Sequence, residues 1–112
     1  MPDKYEVQIT RQAETQLAEI IHYISHELLE PDIASTLLTA LEKAMASLDT
    51  LPQRAALVSE EPWNKRGVRK LLCKNFLIYF SVDVPAHRVA VLAVVYARRD
   101  QLGQLNSLKP DN

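Results

Sequence analysis

The sequence predicts an α+β domain with the element order β-α-α-β-β-β, an N-terminal helix hairpin packed on one face of a small antiparallel sheet. Three observations predict it. Apolar and polar residues alternate over Tyr5–Thr10, recur at steps of three and four from Ala13 to Leu48, and merge into strand-like apolar runs between Val68 and Tyr96. Turn-forming residues stand where these periods change. A chain of 112 residues with 47% hydrophobic content also holds one modest core and no second domain.

Each element has its own reason. Tyr5-Glu6-Val7-Gln8-Ile9-Thr10 suits a half-buried strand. Thr10 can then cap a helix with its hydroxyl, although Ala13 rather than Glu at the third helical position leaves no full capping box. Ala13, Leu17, Ile20, Ile21, Ile24 and Leu28 form one apolar stripe on that helix. Pro31 fits the first turn of a second helix, where its missing N–H costs nothing. That helix offers Ala34, Leu37, Leu38, Leu41, Ala44, Met45 and Leu48 to the core, and Pro52 ends it. Residues 53–67, with Pro62, Trp63, Asn64 and Gly67, read as a loop. Val68–Cys73 and Phe76–Val82 are strands joined by a tight Lys74-Asn75 turn, and Asp83–His87 turns the chain again. The Val-rich run Val89–Tyr96 has the pattern of a central strand, covered on both faces or packed under helices. Residues 1–102 are read as the single domain and residues 103–112 as a polar tail.

Charge is split along the chain. Residues 1–61 carry 11 acidic against 4 basic side chains, and residues 62–112 carry 9 basic against 3 acidic, so halves of about −7 and +6 nearly cancel to −1. Lys65, Arg66, Arg69, Lys70 and Lys74 crowd into ten residues, and no Asp or Glu occurs from Pro62 to Ser81. Such a cluster attracts an anionic partner, either a nucleic acid or an acidic protein surface. Its plain alternative is a solvated strand face.

Several function classes are excluded or disfavoured. The longest apolar stretch, Val89–Ala97, is nine residues, against the roughly 20 that span a bilayer. The start of the chain has no apolar signal region, and a lone Cys73 forms no internal disulfide; a cytoplasmic protein is expected, with no membrane partner. Two isolated glycines, Gly67 and Gly103, make no phosphate-binding loop. His22 and His26 have the i,i+4 spacing of a metal pair but no evident third ligand, so neither metal nor cofactor is expected. Cys73 beside Lys74 reads as an inert, half-buried thiol. Trp63 is either an interface anchor or a lid on the core.

Four ordered blocks carry a family resemblance. They are the opening Tyr5–Thr10 with Ala13 and the Leu17–Ile24 stripe, Leu51-Pro52, Val68–Leu71 leading into Asn75–Phe80, and the closing Val94–Asp100. Over about residues 4–102 the chain resembles the RelE/ParE toxin superfamily. The resemblance implies the toxin of a bacterial type II toxin–antitoxin pair, held inactive by a cognate antitoxin and reaching promoter DNA only through it. RelE-like members cleave mRNA on the ribosome with basic side chains and a C-terminal Tyr or His. ParE-like members inhibit DNA gyrase.

This sequence departs from the nuclease pattern. Leu77 stands where the ribonuclease subset has Arg after the aromatic Phe76, and residues 101–108 contain no Tyr or His. Arg69, Lys70 and Arg99 remain. Arginine is a poor proton carrier, so these cations stabilise charge but leave the proton transfers to Tyr79, Tyr96 or Lys70. The resemblance therefore implies the ParE-like branch, with Lys65, Arg66, Arg69, Lys70, Lys74, Arg98 and Arg99 as contacts to target or antitoxin. The mRNA nuclease and an inactive partner-binding remnant are the alternatives.

Overall fold

The computed structural model describes residues 4–97; the 103–112 tail lies outside them. The elements are β1 (Glu6–Ile9), α1 (Arg11–His22), α2 (Pro31–Ala46), β2 (Val68–Cys73), β3 (Phe76–Asp83) and β4 (Arg88–Tyr96), in the expected order. Thr10 does cap α1, its Oγ1 accepting the Ala13 N–H at 3.2 Å. The same hydroxyl donates to the Leu92 carbonyl at 3.3 Å, which ties the helix start to β4. At the far end of α2, Arg54 closes the chain reversal. Its guanidinium donates to the Thr50 and Leu51 carbonyls at 2.7 and 3.1 Å and to Ser47 Oγ at 2.9 Å.

The four strands lie in the order β1-β4-β3-β2. Short turns make β2, β3 and β4 an antiparallel meander. β1, however, runs parallel to β4, with Glu6 opposite Arg88 and Ile9 opposite Val91, so the sheet is mixed rather than wholly antiparallel. A two-residue turn forces reversal, whereas β1 is linked to the meander through two helices and a loop, which free its direction.

The central strand changes face part-way along. β3 and β4 slip register between Tyr79 and Phe80: Tyr79 opposes Ala93 and Phe80 opposes Val91, leaving Leu92 as the extra residue of a bulge. Val89 and Val91 therefore pack under the helices with Ile78, Phe80, Leu41 and Leu48. Ala93 and Val95, of the same parity, pack on the opposite face with Leu77, Tyr79, Val58, Trp63 and Val68. The Val-rich run is covered on both faces because the loop before β2 forms a third layer. Three backbone bonds join this cover to β2: Val58 N–H to Val68 O at 2.9 Å, Lys70 N–H to Ala56 O at 3.1 Å and Val68 N–H to Trp63 O at 3.0 Å.

The tip of the helix hairpin departs from the expected stripe. Ala13, Leu17, Ile20, Ile21 and Ile24 face the core, but Leu28 is 51% exposed. After α1 the chain widens into a π-turn, Tyr23–Glu27, with Leu28 N–H bonded to Tyr23 O at 3.0 Å. The wider turn rotates Leu28 off the core face. Leu29 then takes φ 54°, and Glu30 N–H reaches back to Ile24 O at 3.0 Å. This closure usually uses glycine, since a Cβ in the left-handed region costs about 1–2 kcal/mol. Leu29 is 77% exposed and loses little burial if truncated. Leu29→Gly should therefore raise stability by about 0.5–1 kcal/mol after the entropy cost of glycine, read as a higher urea midpoint with unchanged helical circular dichroism.

Candidate functional site

The five clustered cations do not form one patch. Lys65 and Arg66 are exposed in the cover loop, Lys65 at 3.5 Å from Glu61. Arg69 lies at the sheet edge and donates from Nη1 to the Ala55 and Gln53 carbonyls at 2.6 and 3.2 Å, pinning the start of the cover. Lys70, next in sequence, points to the other face, opposite Tyr79 in the ladder. Lys74 takes φ 57° in the β2–β3 turn, where its exposed side chain stands at the mouth of a groove. Arg98 and Arg99 lie outside the described residues.

That groove runs between the hairpin tip and the ends of β3 and β4, with a volume of about 1190 Å³. Ile20, Tyr23, Ile24, Leu28, Ile33, Phe76 and Tyr96 line it, with Glu19, Asp32, Lys74 and Asn75 among the polar residues. Tyr23, Leu28 and Ile33 are each more than half exposed. Its floor is built by a substitution of partners. β1 stops at Ile9, and beyond it the Val94 N–H is taken by Gln16 Oε1 from α1 at 2.9 Å. Phe76 and Tyr96 pack side by side with ring centroids 5.5 Å apart. Sequence reasoning missed this groove. The signal was present in Tyr23 and Ile33, apolar residues that stand off the core stripe of their helices.

The opposite face is covered over Leu77 and Tyr79. Trp63, 5% exposed, is the lid of the second core, and beneath it Tyr79 is 1% exposed. Leu77 belongs to the same core at 6% exposure. Tyr79 Oη, Trp63 Nε1 and Asn64 Oδ1 are buried there without a hydrogen-bond partner among the described residues. Burial pushes the Tyr79 phenol above its ordinary value near 10, and the Glu60 carboxylate adds to the rise. Tyr79 and Tyr96 thus sit on opposite faces of the sheet, and the first has no path to solvent. Cys73 is half-buried and donates from Sγ to Ala40 O at 3.6 Å. No group of three His, Cys, Asp or Glu among the described residues stands close enough to hold a metal ion. No described helix is long and apolar enough to cross a membrane.

The family follows from comparison. Residues 7–101 match the family described as the ParE toxin of the type II toxin-antitoxin system, parDE. The chain belongs to the ParE toxin family. As a ParE-family member it is a type II toxin of the RelE/ParE superfamily, and solved structures agree on the fold. The chromosomal ParDE system from P. aeruginosa superposes with a TM-score of 0.68 at 22% identity, over 86% of this chain and 99% of that one. The toxin–antitoxin complex RelBE2 from Mycobacterium tuberculosis gives 0.58 at 20% identity, over 83% and 91%. A mutant E. coli RelE toxin in the free state gives 0.62 at 14% identity, over 90% and 92%. No curated protein matches the sequence at a significant level.

Removing the orphaned Tyr79 hydroxyl should cost nothing, because a buried unsatisfied group carries a desolvation penalty of about 1–3 kcal/mol. Tyr79→Phe is expected to match or exceed the wild-type stability and to keep full toxicity. Because the phenol is raised in the folded state, its contribution is complete below pH 10 and is lost as pH climbs through the raised value. Urea melts from pH 9 to 11 should show a shallower decline for Tyr79→Phe than for the wild type.

Proposed function

We propose that this ParE-family toxin inhibits DNA gyrase, cuts no mRNA, and is held inactive by a co-encoded antitoxin. The observation that carries the reading is the burial of Leu77 and Tyr79 on the second face. Lys70 and the position of Leu77, to which the resemblance assigns the cationic groups of the nucleases, share that face with Tyr79. An arginine at Leu77 would bury an unpaired charge under Trp63, which costs several kcal/mol. With Tyr79 sealed, Arg69 engaged by two carbonyls and Tyr96 on the other face, the described residues lack a converging acid and base. A ribonuclease needs both at one phosphodiester.

Binding to a protein target requires no such pair. Arg98 and Arg99 act in this reading as contacts to gyrase. Purified toxin is expected to inhibit gyrase supercoiling, with relief by antitoxin, and to leave ribosome-bound mRNA intact. Cuts in mRNA that appear only with ribosomes would establish the nuclease reading instead. No effect on either system, with antitoxin binding retained, would mark a partner-binding remnant.

The antitoxin is inferred from the ParDE and RelBE2 systems. An amphipathic segment of it would seat apolar side chains against Tyr23, Leu28 and Ile33, with an acidic residue near Lys74. Buried anchors set the dissociation rate, whereas a rim charge sets the association rate. Lys74→Glu should therefore slow association by roughly an order of magnitude at low salt and flatten its salt dependence, with dissociation nearly unchanged in stopped-flow or surface-binding kinetics. Lys74 is a better probe than Arg69, whose replacement would also release the cover loop.

A further inference from the structure

We propose that His22 and His26 form a two-imidazole site for a borderline divalent transition metal, and that loading it braces the π-turn at the hairpin tip. The two rings lie one above the other, centroids 4.3 Å apart and planes inclined by 18°. Both side chains are exposed. Neither imidazole has a hydrogen bond or ion pair among the described residues, and the ring stack is the contact that holds them together.

The alignment has a backbone cause. In a regular α-helix, residues four apart are offset sideways by part of a turn, because four exceeds the 3.6-residue repeat. Here the step from His22 to His26 crosses into the π-turn Tyr23–Glu27, whose wider coil brings the later residue back above the earlier one. Single π-turns are uncommon and cluster at functional sites.

The donor set suits zinc, nickel or copper. Imidazole nitrogens bind such ions at about 2.0–2.1 Å, which requires the two nitrogens to approach within ~3 Å. In the stack the nitrogen lone pairs lie in nearly parallel planes, so both exposed rings turn out of it about χ1 and χ2 to point two nitrogens at one ion. Water fills the other coordination positions, consistent with the lack of a third protein ligand among the described residues. A metal that bridges both turns binds the folded tip and not the extended chain, and so stabilises it. The braced segment contributes Tyr23 and Ile24 to the groove wall.

The test is calorimetric titration of the full chain with Zn²⁺, beside His22→Gln, His26→Gln, His87→Gln and Cys73→Ser. The wild type should bind one ion saturably and gain a higher thermal midpoint. Affinity should fall at least tenfold in His22→Gln and in His26→Gln, and stay within threefold in the other two variants. Loss of the site in His87→Gln or Cys73→Ser, a fall smaller than tenfold in either paired variant, or no saturable binding below millimolar Zn²⁺ overturns the proposal. Electron paramagnetic resonance of the Cu²⁺-loaded wild type gives an independent reading that does not depend on any variant folding. Two imidazole nitrogens on the ion support the site, and one or none refutes it.

Discussion

The bulge at Leu92 in β4 is the constraint on which the rest of this molecule depends. Successive side chains of a strand point to opposite faces, so a bulge-free β4 would keep one parity under the helices along its whole length. By inserting one residue opposite the Tyr79–Phe80 step, the chain turns Val89 and Val91 toward the helices and Ala93 and Val95 away from them. The second apolar surface must be covered, and the loop before β2 covers it with Val58 and Trp63. Arg69 fastens that loop through two carbonyls. Among the described residues the cover leaves three buried polar atoms unpartnered, a cost that its apolar burial has to exceed.

The functional consequence comes from the same bulge. The loop before β2 buries Tyr79, whereas Lys70 on the same face stays partly exposed. The open surface lies instead at the other end of the domain, where β1 stops short and Gln16 completes the bonding of β4. Stopping β1 there leaves the hairpin tip standing clear of the sheet end, and the space between them is the groove. The π-turn and the left-handed Leu29 are the local strain that shapes this tip. Groove and strained backbone thus fall in the same place, at the edge of the first core.

Electrostatics follows the fold rather than the linear order of charges. Five cations within ten residues look like one patch in sequence, but strand alternation sends Arg69 and Lys70 to opposite faces and the hairpin turn carries Lys74 to the groove. Lys65 meets a local carboxylate at the surface, where such a pair is worth little. The field around the chain is therefore broader and weaker than the cluster implies.

What the sequence by itself determined was local. The order of elements, the Thr10 cap, Pro31 at a helix start, the Lys74-Asn75 turn and the family blocks all rest on neighbours a few residues apart. Period, capping and turn chemistry report on those neighbours directly. The run Val89–Tyr96 also read as a central strand, covered on both faces or packed under helices, and the structure decided for the first. Tertiary structure decided the rest. The parallel pairing of β1 with β4 was not legible, because pairing of segments about 80 residues apart leaves no trace in either segment's period. Trp63 became a lid, Tyr79 became inaccessible, and Arg69 became a clamp for the cover, because each role depends on where the loop before β2 packs on the sheet. Tyr23 and Ile33 were written in the sequence as apolar residues off their stripe, but only the assembled hairpin and sheet make them the wall of a groove.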